Sequence, residues 1–554
     1  MRKPRSGLRV LAGWIAGLGL AVVAVLGLGA IVLWRCVPEP PAVPGDAAIL
    51  RLTPETRDGK VFLGRNWFGR REGLNVLYVT GTPFEMGYAN GVLTRDLIRR
   101  QEDTLLDLIG TVVPSRWVQR LLLAMVVFQN RHLPDHVVPE LQMEILGVTR
   151  GCPDPHPELG PYYARTLGYH GAQDASYMMM NSPLIRGGCT AFAAWGPVTT
   201  NGHLLTGRNF DWEAAPVFDR DRVMVLCEPR DGIPFVSLSW AGMAGVVSGM
   251  NREGLSIAVN GAPSHLSGSA RTPTCLVARE VLQHARTLAE AIEIIRRREV
   301  FVSALFLIGS RIDGRFVVVE KTSSRMAVRE ETGRPYLVNA NHYLTPELRD
   351  DPLNLEFLRA DTSGSRDRRA HELLAATQGL NAEKGVALLR DRGLPGGAFA
   401  GNGHRGTLNP LIATHAVFMD LTDGIFWAAC PPHQLGRFVA FDVRRMDREL
   451  PELAVGEDPM LAAGYPRHVA SRQALDQGWK ALRRRDWARA AGLARSADEA
   501  NPGFYENAWL LGEALLGQGD AGGARAALEA ARRGRPALAS ETRRIETLLG
   551  GLRP

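Results

Sequence analysis

Between Cys189 and about Val443 the apolar residues come in short alternating runs, among them LLTGRNF, VMVLCEP, FVSLSW, LSIAVN, FVVVE and AVFMDL. Alternation sends successive side chains to opposite faces of an extended chain, so each run predicts a strand. Stretches with helical spacing, Leu276–Arg298 and Asp367–Arg390, lie between them. Several strands and several helices without strict β-α alternation predict an α+β layered fold. The 554 residues, 45% of them apolar and 22% charged, leave room for several domains and a large core.

Other stretches follow different rules. Arg2, Lys3, Arg5 and Arg9 precede an uncharged run, Val10–Trp34. Its length exceeds the roughly 20 residues a bilayer-spanning helix needs, and the basic cluster before it predicts a cytosolic N-terminus, with everything after Arg35 outside. A cleaved signal peptide is the alternative, but the run is long for one and no small-x-small site follows. Arg35 is the wrong neighbour for lipid attachment at Cys36. The reading is therefore a single-pass membrane protein with an extracytoplasmic catalytic part: tail and anchor at 1–36, then a linker at 37–49, stiffened by the prolines of Val37–Asp46. In 50–188, Val76–Thr80 predicts a strand, GTPFEMGYANG (Gly81–Gly91) a turn into a helix through Ile98, and Asp103–Leu146 further amphipathic helices.

The last part, 465–552, repeats. Gly478, Ala490, Ala497 and Pro502 recur as Gly512, Ala524, Ala531 and Pro536, each 34 positions on. Small residues where paired helices approach, and prolines closing each second helix, resemble tetratricopeptide repeats. Two such units fall short of a self-sufficient array, so docking on the main body is expected, either as a structural cap or with a groove for a protein partner.

The net charge of +7 comes from scattered arginines. It argues weakly for an anionic membrane surface and against nucleic acid. The six cysteines, Cys36, Cys152, Cys189, Cys227, Cys275 and Cys430, form no CxxC pair, which speaks against a zinc site or a disulfide framework.

Cys189 stands apart because of its surroundings, RGGCTAFAAWGPVTTNGHLLTGRNFDWE (Arg186–Glu213). An isolated cysteine opening a strand is ordinarily a small buried apolar residue. Here Arg208 and Asp211 follow, three apart, on the expected return strand. A cut between Gly188 and Cys189 would give one residue both a thiol nucleophile and an α-amino base, whose reference pKa of about 7.7–8.0 suits proton transfer near neutral pH. Asp211 would orient the amine, and Arg208 would hold the thiolate or fix Asp211. Gly187 and Gly188 would allow the strained backbone that self-cleavage needs.

At these residues the chain resembles the N-terminal nucleophile (Ntn) hydrolases of the choloylglycine hydrolase and penicillin acyltransferase type, the C45 autoproteolytic acyltransferases. GTPFEMGYANG resembles the family's pro-segment motif, and GCTAF with TGRNFDW its nucleophile strand and partner. SGMNREGLSIAVNGAP (Ser248–Pro263) resembles the next block, and ANHY (Ala340–Tyr343) a later asparagine block. Together these span about residues 76–440. The resemblance implies an αββα sandwich over 189–450, a retained and mostly helical pro-segment over 50–188, and oxyanion donors at Asn260 and at Asn341 or Asn339. It also implies a late arginine, Arg405 or Arg437. Donors of this kind stabilise the oxyanion of acyl transfer. The implied activity is hydrolysis or transfer of an acyl group from an amide or ester through an acyl-Cys189 intermediate. No metal or organic cofactor is implied, and an amphiphilic acyl-amide or lipid-like substrate suits a membrane enzyme.

Two other readings remain. A papain-like enzyme would pair Cys189 with His342, His404 or His415, but the local surround typical of that class is absent. A membrane-tethered repeat scaffold with an inactive hydrolase body would leave Cys189, Arg208, Asp211 and Asn260 without a purpose.

Overall fold

The computed structural model describes residues 35–45, 47–171, 174, 187–213, 215–265, 270–446, 448 and 450–552. The expected anchor, Val10–Trp34, lies outside them. Among the described residues no single helix is long and apolar enough to cross a membrane.

The first strands are β1 (Glu55–Arg57), β2 (Lys60–Leu63), β3 (Asn66–Arg71) and β4 (Leu74–Gly81). After a helical stretch come β5 (Gly187–Gly196), β6 (Gly202–Trp212), β7 (Val223–Pro229), β8 (Phe235–Ser239), β9 (Ser248–Asn251) and β10 (Leu255–Gly261). The rest are β11 (Ala304–Ser310), β12 (Arg315–Lys321), β13 (Met326–Glu330), β14 (Tyr336–Asn339), β15 (Ala413–Asp420), β16 (Ile425–Ala429) and β17 (Phe438–Asp442). They form an eleven-stranded sheet, β1-β2-β3-β4-β7-β8-β9-β10-β11-β12-β13, and a six-stranded sheet, β14-β5-β6-β15-β16-β17.

The period-two pattern separates three cores. In β11, Leu305 and Leu307 enter a cluster that also holds Ala191, Ala193, Val417, Met419 and Val439, so the two sheets lie face to face around it. Phe306 and Ile308 point the other way and pack with Phe84, Ile145, Val281 and Ile295 of the helices Pro83–Val112, Pro139–Gly151, Thr274–His284 and Leu288–Arg297. On the far face of the small sheet, Phe192, Leu205 and Phe418 meet Leu374 and Val386 of the helices Ser363–Ala376 and Ala382–Leu389. The order helix, sheet, sheet, helix gives the four layers expected of this α+β chain. β10, β11 and β15 are buried at every position because both of their faces are covered.

Each predicted helical stretch is two helices. Leu276–Arg298 breaks before Thr287, which makes a capping box with Glu290, and Asp367–Arg390 breaks before Asn381, whose side chain caps the second helix. Segment 50–188 is more than a helical pro-segment. Its strands β1–β4 extend the large sheet, β4 pairing in parallel with β7 from Asn75↔Val223 to Gly81↔Pro229. The glycines of GTPFEMGYANG serve the helix layer. A Cβ at Gly87 would lie 1.8 Å from the Glu144 carbonyl oxygen and one at Gly91 2.3 Å from that of Val148, so the helices Pro83–Val112 and Pro139–Gly151 touch backbone to backbone.

Residues 460–551 form five helices, Met460–Arg483, Trp487–Ala500, Tyr505–Gln518, Ala521–Arg533 and Ala539–Gly551, each packed on the next. Gly478 and Gly512, 34 apart, face Leu510 and Leu528 where a Cβ would not fit. The unit docks on the body as expected. Asn402 and Asn501 exchange hydrogen bonds of 2.9 and 2.8 Å, and His404 Nε2 lies 2.7 Å from the Arg535 carbonyl oxygen.

Candidate active site

Strand register builds the site. β5 and β6 pair antiparallel with Gly188 opposite Asp211, Cys189 opposite Phe210 and Ala191 opposite Arg208. Alternation therefore puts Cys189 and Arg208 on the inner face between the sheets, while Asp211, an odd number of residues from Arg208, faces the outer helices. The two residues that look like a pair in the sequence approach Cys189 from opposite layers, near the start of its strand.

On the inner face the Arg208 guanidinium is fully buried. Its Nη2 lies 3.5 Å from Cys189 Sγ and also donates to the Val259 carbonyl. Its Nη1 donates to Ser248 Oγ at 2.7 Å and to His415 Nε2 at 2.9 Å. His415 stacks on Phe210 with ring centroids 5.1 Å apart. Burial first, and then the charge of Arg208, hold His415 well below its usual pKa, so its Nε2 is an acceptor and the ring is neutral. Burial raises the Cys189 thiol above its ordinary range, and Arg208 opposes that rise.

On the outer side stands Arg366, from the helix Ser363–Ala376. Its Nη1 donates to the Cys189 carbonyl and, at 2.9 Å, to Thr190 Oγ1, and its Nη2 donates to Asn341 Oδ1 at 2.9 Å. That same Oδ1 accepts the Cys189 backbone N–H at 2.8 Å. Asp211 is buried, its Oδ1 has no hydrogen-bond partner among the described residues, and burial pushes its carboxyl up to about 7 against the pull of Arg366, Arg208 and Arg405.

The three asparagines differ. Asn260 Nδ2 donates to the carbonyls of Asn339 and Ala340 at 2.8 and 2.9 Å, and Asn341 Nδ2 donates to the Gly261 carbonyl at 2.9 Å. Asn339, opposite Ala191 in the register and so on the inner face, is buried with neither amide atom paired among the described residues.

Several expectations change. Gly187 and Gly188 do not adopt a left-handed φ. They sit in β5, and smallness is what matters, because a Cβ at Gly188 would meet the Arg366 guanidinium at 3.0 Å. Arg405 pairs with Glu213 and reaches Asp211 only through space, while Arg437 pairs with Glu72 at 3.0 Å. The later arginine that touches Cys189 is Arg366, which sequence reasoning missed along with Ser248, and His415, named there only as a partner for the thiol, instead accepts from Arg208. The run SRDRR (Ser365–Arg369) looks like an ordinary polar helix start, and nothing local marks Arg366. The histidines do not build a thiol–imidazole pair. His342 contacts Ser363 Oγ at 2.8 Å, His404 meets Arg535, and among the described residues no histidine hydrogen-bonds to Cys189 Sγ.

Comparison with known proteins gives a family first. Residues 198–396, about a third of the chain, match the acyl-coenzyme A:6-aminopenicillanic acid acyl-transferase family. An uncharacterized protein of Archaeoglobus fulgidus is 24% identical over 395 residues, 64% of this chain and 63% of that protein. Protein dcd1B of Dictyostelium discoideum is 23% identical over 245 residues, 40% of this chain and 45% of that protein, so the chain spans less than two thirds of either relative. Among solved structures, the Caenorhabditis elegans ortholog of N-acylethanolamine-hydrolyzing acid amidase aligns at 16% identity and a TM-score of 0.32, over 42% of this chain and 93% of that one. A mutant of conjugated bile acid hydrolase from Clostridium perfringens aligns at 16% identity and a TM-score of 0.29, over 47% and 95%.

Proposed function

We propose that the protein is a self-cleaving cysteine Ntn hydrolase that releases or transfers an acyl group from an amide, or from an ester, with Cys189 as nucleophile. The observation that carries this reading is the dual hold on one residue. Arg208 contacts the Cys189 thiol, Asn341 and Arg366 hold its backbone nitrogen and carbonyl, and a buried Asp211 oxygen lacks a partner at the same strand end. The match to an acyltransferase family over residues 198–396 supports it.

In the first stage the thiol attacks the Gly188 carbonyl. The peptide bond becomes a thioester as the nitrogen takes a proton, and water then cleaves the thioester to leave a Gly188 carboxylate, a free thiol and an α-amine. Asp211 orients that neutral amine, whose N–H supplies the donor its unpaired oxygen lacks. In the second stage the amine accepts the thiol proton and the thiolate attacks the substrate carbonyl. The proton passes to the leaving amine, and water or an acceptor amine attacks the acyl-cysteine. The oxyanion donors are Asn260 and one of Asn341 and Asn339. Asn339 has the unengaged amide, whereas Asn341 holds the Cys189 nitrogen.

The substrate class is an amphiphilic acyl amide. The placement that goes with it is a single pass at Val10–Trp34 and a catalytic part outside the cytosol, divided as 50–188, 189–450 and a tetratricopeptide-like 465–552. The test is intact mass under denaturing conditions: active protein contains fragments 1–188 and 189–554, and Cys189→Ala stays whole. An active enzyme present only as the uncut chain overturns the N-terminal base mechanism.

A further inference from the structure

The helix Arg116–Gln129 has no buried residue. Trp117, Leu121, Met125 and Phe128 are 72%, 47%, 60% and 47% exposed, and the spacing of four, four and three sets them in one stripe. Ile109 and Val112, at the end of the helix before it, continue the apolar surface beyond a 120° bend. Exposed apolar surface gathered in this way marks an interaction site.

Charge selects the partner. From Leu108 to Pro134 the chain carries Arg116, Arg120 and Arg131 and no carboxylate. A protein surface would be expected to offer countercharges, and a second copy stacked through this face would bring arginines together with no acid to pair them. An anionic lipid surface takes both components, its acyl boundary receiving the stripe and its headgroups the arginines. At 14 residues the helix is about 21 Å long, short of the ~30 Å hydrocarbon core, so it lies in the interface and does not span it.

We infer that this bent pair is a lipid-docking lobe resting on an anionic bilayer. The lobe is hydrogen-bonded to the rest of the body. Gln129 accepts a hydrogen bond from the Ala270 backbone N–H at 3.2 Å, and Thr272 Oγ1 donates to the His136 carbonyl at 2.8 Å. Ala270 and Thr272 lie just before the helix Thr274–His284, so the lobe is fixed to the helix layer of the body. The uncharged run Val10–Trp34, on the same side of the proposed cut, would hold the lobe against its membrane. The inference rests on the membrane-side placement proposed above.

Its test reads that placement separately. Full-length protein carrying Cys36→Ser and Met125→Cys, labelled with an environment-sensitive fluorophore, is incorporated into phosphatidylcholine vesicles containing phosphatidylglycerol and brominated acyl chains. The parent without the new cysteine supplies the background. The expected result is loss of most emission at position 125 and none from a label at Ile312→Cys, a site 54% exposed in the β11–β12 turn. Arg116→Gln with Arg120→Gln should weaken that loss when phosphatidylglycerol is present. A label at Ala24→Cys reports the anchor. Quenching at 24 without quenching at 125 overturns the lobe and leaves the anchor standing, and quenching at 125 alone supports the lobe and overturns the anchor. A lipid-independent blue shift at 125 that grows with protein concentration in detergent assigns the face to a second copy, and also overturns the lobe.

Discussion

Asp211 is a carboxyl whose folded pKa of about 7 lies above its ordinary value of 3.8, because burial disfavours the charged form. A raised carboxyl binds its proton more tightly in the folded chain, so its stabilising effect is complete below about pH 4 and is lost as pH rises through 7. The uncut Cys189→Ala chain should therefore lose thermal stability between these limits, and adding Asp211→Asn should remove that part of the slope; an unchanged slope in the double variant rejects the assignment. His415 acts on the thiol only through Arg208. His415→Leu removes an acceptor from Arg208 Nη1, so the guanidinium is held less firmly and the Cys189 thiol should titrate at higher pH in an alkylation-rate profile. His415→Gln, which keeps an acceptor, should restore the profile. Equal profiles in both variants would leave His415 a packing residue.

Helix contacts have their own signature. At Gly87 the obstructing atom is the Glu144 backbone oxygen, 1.8 Å from where an alanine methyl would sit and unable to rotate away, so Gly87→Ala must separate two helices. The expected cost is about 1–3 kcal/mol or more by the overpacking rule. Gly110 lies in the same helix with nothing nearer than Gln119 Nε2 at 4.0 Å, and Gly110→Ala should stabilise by up to about 1 kcal/mol through helix propensity. Thermal melts of the two variants check both signs. Gly87 and Gly91 of the motif, read in sequence as a turn into a helix, thus serve the close contact that Gly147 and Gly151 make from the other helix. The strands β1–β3, which are short and largely exposed or half-buried, were not legible, whereas β4–β8, β10, β12 and β15 were legible as short apolar runs. The breaks at Thr287 and Asn381 were less so, since one capping side chain ends a helix without disturbing the apolar pattern on either side.

For the whole molecule, the proposed cut has an unusual consequence. It separates β4 from β7 in sequence, but the two strands pair along their length inside one eleven-stranded sheet, and the helices of both fragments share one core. Burying a Leu, Ile, Val or Phe side chain contributes about 1.5–3 kcal/mol, and the shared core draws such residues from both fragments, Phe84 and Ile145 from the first and Val281 and Phe306 from the second among them. Fragments 1–188 and 189–554 should copurify through detergent and high salt and part only in denaturant, as followed by size-exclusion chromatography and gel electrophoresis. Early dissociation in mild detergent would show that the shared sheet does not survive the cut. The helical unit after Met460 is tied to the same body next to the site, since Glu213, the partner of Arg405, also lies 3.9 Å from Arg472.

The layered α+β class, the strand that carries Cys189, its return strand and the helical C-terminal unit can be read from the chain alone, because these depend on local periodicity and on residues close together in the chain. Tertiary structure alone decided which distant groups meet at Cys189. Arg366 reaches it across 177 residues, and His415 reaches Arg208 across 207. It also decided that Arg208 and Asp211 approach from opposite layers. Short-range pattern specifies which face of a strand a residue occupies, but the partner on that face is chosen by the packing of sheets and helices, which leaves no mark at a fixed spacing in the chain.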